Sequence, residues 1–121
     1  MELQRLDATS APGPVMSRCV IHGDYVYIGG ITARNLKGDI TAQTREVLAT
    51  VDGYLERACS DRAHVLSVQV WLSDMRLFQQ MNEVWNAWVV PGQLPARACV
   101  SGELFRPEAL VEMTVTAVVR R

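Results

Sequence analysis

The chain has 121 residues, of which 49% are hydrophobic and 21% charged, with 12 basic against 13 acidic side chains and a formal net charge of −1. That length holds one domain with a real core and is too short for two. The composition excludes a disordered chain, and the charge balance gives neither nucleic acid nor an anionic membrane a basic surface to bind.

Residues 1–17, "MELQRLDATSAPGPVMS", are rich in Pro, Ser, Thr and Gly and read as an irregular N-terminal arm ahead of a single domain. Two short strands follow, Cys19 to Ile21 and Tyr25 to Ile28, about the turn residues Gly23 and Asp24. The second run ends at Gly29-Gly30, where the backbone can turn with positive φ or approach a ligand closely. "ITARNLKGDI" is a loop, and its Lys37, the one lysine beside eleven arginines, is a solvated loop cation.

From about Thr41 to Cys59, Val47, Leu48, Val51, Leu55 and Ala58 recur at helical spacing, with Asp39 or Thr41 able to cap the start. In "HVLSVQVWL", Val68, Val70 and Leu72 alternate with Ser67, Gln69 and Trp71, the pattern of a strand. A second helix runs from about Asp74 to Val89, with Phe78, Met81, Trp85 and Trp88 three and four apart and Ser73 or Asp74 as cap; Pro91-Gly92 stops it. "RACVSG" and "ALVEMTVTAVV" are the last two strands, separated by a turn from Phe105 to Glu108.

The order β-β-α-β-α-β-β contains two strand-helix-strand units and predicts an α+β fold with both helices on one face of a mixed sheet. Two helices cannot cover both faces. In the last strand Val111, Met113, Val115, Ala117 and Val119 line one side, while Leu110, Thr114, Thr116 and Val118 leave the other half-apolar with Glu112 embedded in it. Such a face predicts a homo-oligomer that meets across the sheet.

Cys19, Cys59 and Cys99 form no CxxC pair, and His22 and His64 stand far apart, so the spacing of a zinc site is absent. No run resembles a signal peptide and none reaches membrane-spanning length, so a reducing cytoplasm is the expected location. One residue stands out: "PARACV" sets Arg97 in a small, apolar strand, where a guanidinium needs an anion from the protein or from a ligand. The plain structural role for Arg97 is an ion pair, with Glu112 or with an acid of a neighbouring subunit. Cys99 reads as a small buried residue, since no histidine lies near it in sequence to activate it.

"ITAQTREVL", "VWLSDMRLFQQMNEVW" and above all "PARACV" followed by "LVEM" resemble the RidA/YjgF family of enamine and imine deaminases, from "GDYVYIGG" to the C-terminus. The resemblance implies a chorismate-mutase-like mixed sheet with two helices on one face, assembled as a homotrimer with a ligand cleft at each interface. It implies hydrolysis of reactive 2-enamino and 2-imino acids to 2-oxo acids and ammonia, with no metal and no organic cofactor. On matching positions, Arg97 takes the place of the arginine that grips the substrate carboxylate, and Glu112 that of the glutamate orienting the hydrolytic water. Gly30 and Cys99 match residues whose backbone borders the ligand, and Trp88 stands where it reaches the pocket edge. Where many members carry a pocket tyrosine, "APGPVMS" has Val15 or Met16, and Gly29 replaces a frequent serine; both changes bear on substrate identity.

The chemistry fits those residue types. Arginine meets a carboxylate with two parallel N–H···O bonds, which lysine cannot reproduce. Clamping the acid group fixes the neighbouring C=N carbon relative to a bound water, and a carboxylate near that water can take a proton from it and deliver one to the departing nitrogen. Because imines are labile, no activated serine or metal hydroxide is required. Three other readings share parts of this pattern. One is a non-catalytic small-carboxylate binding or regulatory protein using the same cleft. Another is deamination of a larger ring-cleavage product such as 2-aminomuconate. The third, RNA cleavage as ascribed to some relatives, is disfavoured by the near-neutral charge.

Overall fold

A computed structural model describes residues 2–121. Its strands are β1 (Leu3–Ala8), β2 (Ser17–His22), β3 (Tyr25–Thr32), β4 (Val65–Leu72), β5 (Ala96–Ser101) and β6 (Val111–Val118). Its helices are α1 (Ile40–Arg57) and α2 (Phe78–Trp88), and single 3-10 turns at Arg62–His64 and Met75–Leu77 lead into β4 and α2. The strands form one sheet in the order β1-β2-β3-β6-β4-β5. Only β4 and β5 are parallel neighbours; every other pair is antiparallel.

The N-terminal arm is therefore partly a strand. β1 takes Leu3–Ala8 out of the expected irregular region and pairs Leu6 with Cys19 and Leu3 with His22. Its side chains are mostly exposed, so this strand rests on backbone pairing to β2 rather than on an apolar stripe.

Helix α1 begins where Asp39 accepts a hydrogen bond from the Ala42 N–H at 2.9 Å, satisfying a donor the helix leaves unpaired. The stripe Val47, Leu48, Val51 and Leu55 is buried on the sheet. Gln43 is buried with it and is fully used: its Nε2 donates to the carbonyls of Gly38 and Glu108, and its Oε1 accepts from the Leu110 N–H at 2.9 Å. One buried amide thus fastens α1 to the chain entering β6. In α2, Met81, Trp85 and Trp88 are buried, as their spacing predicts.

Against these helices the sheet presents Val26, Ile28 and Ile31 of β3, Val68, Val70 and Leu72 of β4, and Val111, Met113, Val115 and Ala117 of β6. Each large side chain fully withdrawn from water there contributes about 1.5–3 kcal/mol. Both helices lie on this one face, as expected. Among the described residues no helix or strand packs on the opposite face, and Tyr27 (48% exposed), Trp71 (38%) and Val100 (38%) stand on it. No helix among the described residues is long and apolar enough to cross a membrane. Cys19, Cys59 and Cys99 are all free thiols.

Candidate functional site

Alternation along β6 decides where Glu112 points. Val111 and Met113 turn into the core, so Glu112 between them emerges on the helix-free face, opposite Thr32 of β3 and Trp71 of β4. Beside it β3 bulges. Ile28 pairs with Val115 and Ile31 with Met113, so three steps on β3 match two on β6, and Gly29-Gly30 absorb the extra residue. Gly30 adopts φ +55°, a left-handed conformation that glycine tolerates best, and a Cβ there would stand 3.7 Å from Glu112 Oε2. Gly30, Glu112, Thr32, Arg18, Met16 and Phe105 line a cavity of about 570 Å³. Half-burial pushes the Glu112 carboxyl above the ordinary carboxylate range.

Arg97 lies elsewhere. On β5 it pairs with Val68 and Cys99 pairs with Val70, so both turn toward the helix-bearing face at the sheet's edge. Arg97 Nη1 donates to Asn82 Oδ1 at 2.7 Å and approaches Met81 Sδ at 3.9 Å. Its guanidinium lies 5.2 Å from the Trp85 ring centroid and 5.6 Å from that of Phe78, within cation–π range of both. Among the described residues the ion pairs engage Arg57, Arg62, His64, Arg76, Arg120 and Arg121. Arg97 has only neutral partners, and the ion pair with Glu112 does not form. Burial raises the Cys99 thiol above its ordinary value, outweighing the nearby Arg97 charge, which leaves it a poor nucleophile at neutral pH.

Two expectations are corrected here. Glu112 follows Arg97 in sequence by one strand, but β4 lies between β5 and β6 in the sheet, and the two side chains emerge on opposite faces. They cannot touch one small ligand within a single chain. Trp88 reaches neither neighbourhood. It is buried between α1 and α2, its Nε1 donating to Asp52 Oδ1 at 3.0 Å and the Arg62 guanidinium 5.3 Å from its ring centroid. The helix periodicity that placed it in a core stripe prevails over a place at the pocket edge.

The structure also adds residues. Arg18, Thr32 and Phe105 share the Glu112 cavity, and Met16, not the 74%-exposed Val15, occupies its wall on the N-terminal side. Arg18 was findable, since it alternates with the buried Cys19 and so faces the helix-free side at its backbone. Other charges tie elements together. Asp7 accepts from the Tyr54 hydroxyl at 2.6 Å and from Arg57 at 2.8 Å, which hold its carboxyl down to about 2. Hydrogen bonding to His64 lowers Asp61 in the same way.

A family model described as endoribonuclease L-PSP matches residues 8–119. The RutC family protein YoaB of Escherichia coli K12 is 35% identical over 119 residues, covering 98% of this chain and 100% of the relative. Among solved structures, NMB1025 from Neisseria meningitidis, a member of the YjgF protein family, is 39% identical with a TM-score of 0.91, covering 100% of this chain and 98% of that one. An uncharacterized protein from Pseudomonas aeruginosa is 36% identical with a TM-score of 0.92, covering 98% and 100%.

Proposed function

The chain belongs to the YjgF/RidA family, that of the endoribonuclease L-PSP model, and from this premise we propose that it hydrolyses reactive 2-enamino and 2-imino acids to 2-oxo acids and ammonia. The observation that carries this reading is a pair of half-sites. Glu112 and Gly30 line an open cavity that Arg97 of the same chain does not reach, with Arg18 in its wall, and Arg97 stands at the sheet edge with no carboxylate of its own. A neighbouring copy supplies what each lacks. The half-apolar, helix-free face supports that assembly, proposed as a homotrimer, with Arg97 of one subunit meeting Glu112 and Gly30 of another.

In the cleft so formed, Arg97 holds the substrate carboxylate and the C=N carbon faces a water beside Glu112. An enamine first tautomerises to the imine. Water then adds to the carbon, forming the C–O bond, and Glu112 takes its proton. Protonation of the nitrogen breaks the C–N bond, ammonia leaves, and the carbonyl of the 2-oxo acid forms. One water is consumed and no electrons are gained or lost. The raised Glu112 carboxyl suits this exchange, because a group titrating closer to neutrality both accepts and returns a proton. The Gly30 and Cys99 backbones border the ligand.

An amino-acid dehydratase or oxidase coupled to the protein tests this. Wild type accelerates release of ammonia and 2-oxo acid, while Arg97→Ala and Glu112→Gln do not. Saturable 2-oxo acid binding, lost in Arg97→Ala, with no acceleration for any amino acid, makes the protein a carboxylate binder instead. Strong, salt-sensitive RNA binding replaces both readings.

A further inference from the structure

Next to the Glu112 cavity lies a second one, of about 340 Å³, and the two share Arg18, Thr32 and Phe105 in their walls. Three arginines line it from separate parts of the chain: Arg18 on β2, Arg34 after β3, and Arg106 between β5 and β6 with its guanidinium 5.8 Å from the Phe105 ring centroid. None of its lining residues is acidic, and none of the three arginines joins an ion pair among the described residues.

The nearby acids are already engaged. Glu46 accepts the backbone N–H groups of Arg34 and Asn35, and Asp7 is held by Arg57 and Tyr54. Thr50 donates its hydroxyl to the Glu46 carbonyl and Tyr54 donates its own to Asp7, which leaves the guanidiniums and the Thr32 hydroxyl as side-chain donors around the cavity. Asp7 feels the Arg18 charge as well, but no acid lines the cavity, so the three like charges there lack a counter-charge of their own. In a chain of net charge −1 that grouping is local and small, sized for one anionic group rather than a polymer.

We infer that this annex binds a second anionic group, a carboxylate or a phosphate, on the side chain of the substrate. The inference rests on the deaminase reading and narrows it to 2-imino acids with an anion at each end. The 2-carboxylate meets Arg97 of the neighbouring subunit, the C=N carbon lies beside Glu112, and the distal anion sits among Arg18, Arg34 and Arg106.

Calorimetric titration with 2-oxo acid products tests this without turnover. Wild type binds 2-oxoglutarate about tenfold or more tighter than 2-oxobutanoate, the worth of one added charge-assisted contact. In Arg34→Gln and Arg106→Gln, both at exposed positions, and in the double variant, that ratio falls toward one. Arg18→Lys, which keeps the charge, retains part of it. An oxo acid bearing a phosphonate distinguishes the two anions: tighter binding than 2-oxoglutarate assigns the annex to phosphate, weaker binding to carboxylate. Equal affinity for the diacid and the monoacid in wild type, or a preference that survives in the double variant, overturns the inference. RNA binding lost in the double variant overturns it too. Failure of the deaminase reading shows separately, as absence of imine hydrolysis while the affinity ratio stands.

Discussion

The two faces of the sheet solve opposite problems with the same alternation. On the covered face, β3, β4 and β6 give up every polar side chain to pack against α1 and α2, and the charge that ventures there, Arg97, is kept at the rim on aromatic rings and one amide. On the helix-free face the same strands leave Tyr27, Trp71 and Glu112 only partly covered. One face is finished within the chain; the other awaits a second surface. The difference teaches that packing for stability and lining an open cavity are separable here, one residue apart on the same strand.

Replacing Glu112 with Gln sharpens that separation most. We expect kcat for imine hydrolysis to fall about 10²- to 10⁴-fold, the usual contribution of a positioned acid–base group, while the fold gains stability. The Glu112 carboxyl is raised in the folded chain, so the folded chain holds its proton more tightly than the unfolded one. Its contribution to stability is fully present below the unfolded carboxyl value and is lost as pH rises through the raised one. At neutral pH the Gln variant melts higher than wild type, and the gap closes on acidification. Thermal melts from pH 4 to 8 check both signs.

A neighbouring pair probes the same contrast by stability alone. Met113→Ala, at a fully buried position, costs about 2–5 kcal/mol in urea unfolding. Thr114→Ala, one step along on the other face, stays within about 0.5 kcal/mol. Equal losses at the two positions would break the comparison. Arg97→Lys keeps the charge but not the fork, and lowers 2-oxo acid affinity about tenfold by titration. Asp39→Ala removes the α1 cap for about 1 kcal/mol without touching ligand affinity. The smallest effect is that of Asp7, whose pairing with Arg57 is solvent-exposed. Its carboxyl is lowered to about 2, so its contribution is present above the unfolded carboxyl value and is lost as pH falls through about 2; Asp7→Asn flattens that acid limb of the melting curve.

The helices were legible because Val47, Leu48, Val51 and Leu55, and Met81, Trp85 and Trp88, repeat at the period that burial against a sheet demands. The strands were legible for the same reason with period two. β1 was not, because "LQRLDA" buries little and is held by hydrogen bonds to β2 that no local pattern records. Strand order was hidden as well. Nothing local to β6 says that it inserts between β3 and β4, and that insertion parts Arg97 from Glu112. The types of residue in the candidate site could be read, but their distribution over two faces could not. Arg34 and Arg106 lie in loops without periodicity, so only the folded chain brings them to Arg18.

The bulge at Gly29-Gly30 has a wider consequence. Because it adds one residue between Ile28 and Ile31, both isoleucines reach the interior although they stand an odd number of positions apart. Deleting either glycine would match two steps on β3 to two on β6 and keep both isoleucines inside, so the core itself does not demand the extra residue. The extra residue therefore belongs to the cavity wall, where Gly30 turns left-handed beside Glu112, and not to the packing of the interior.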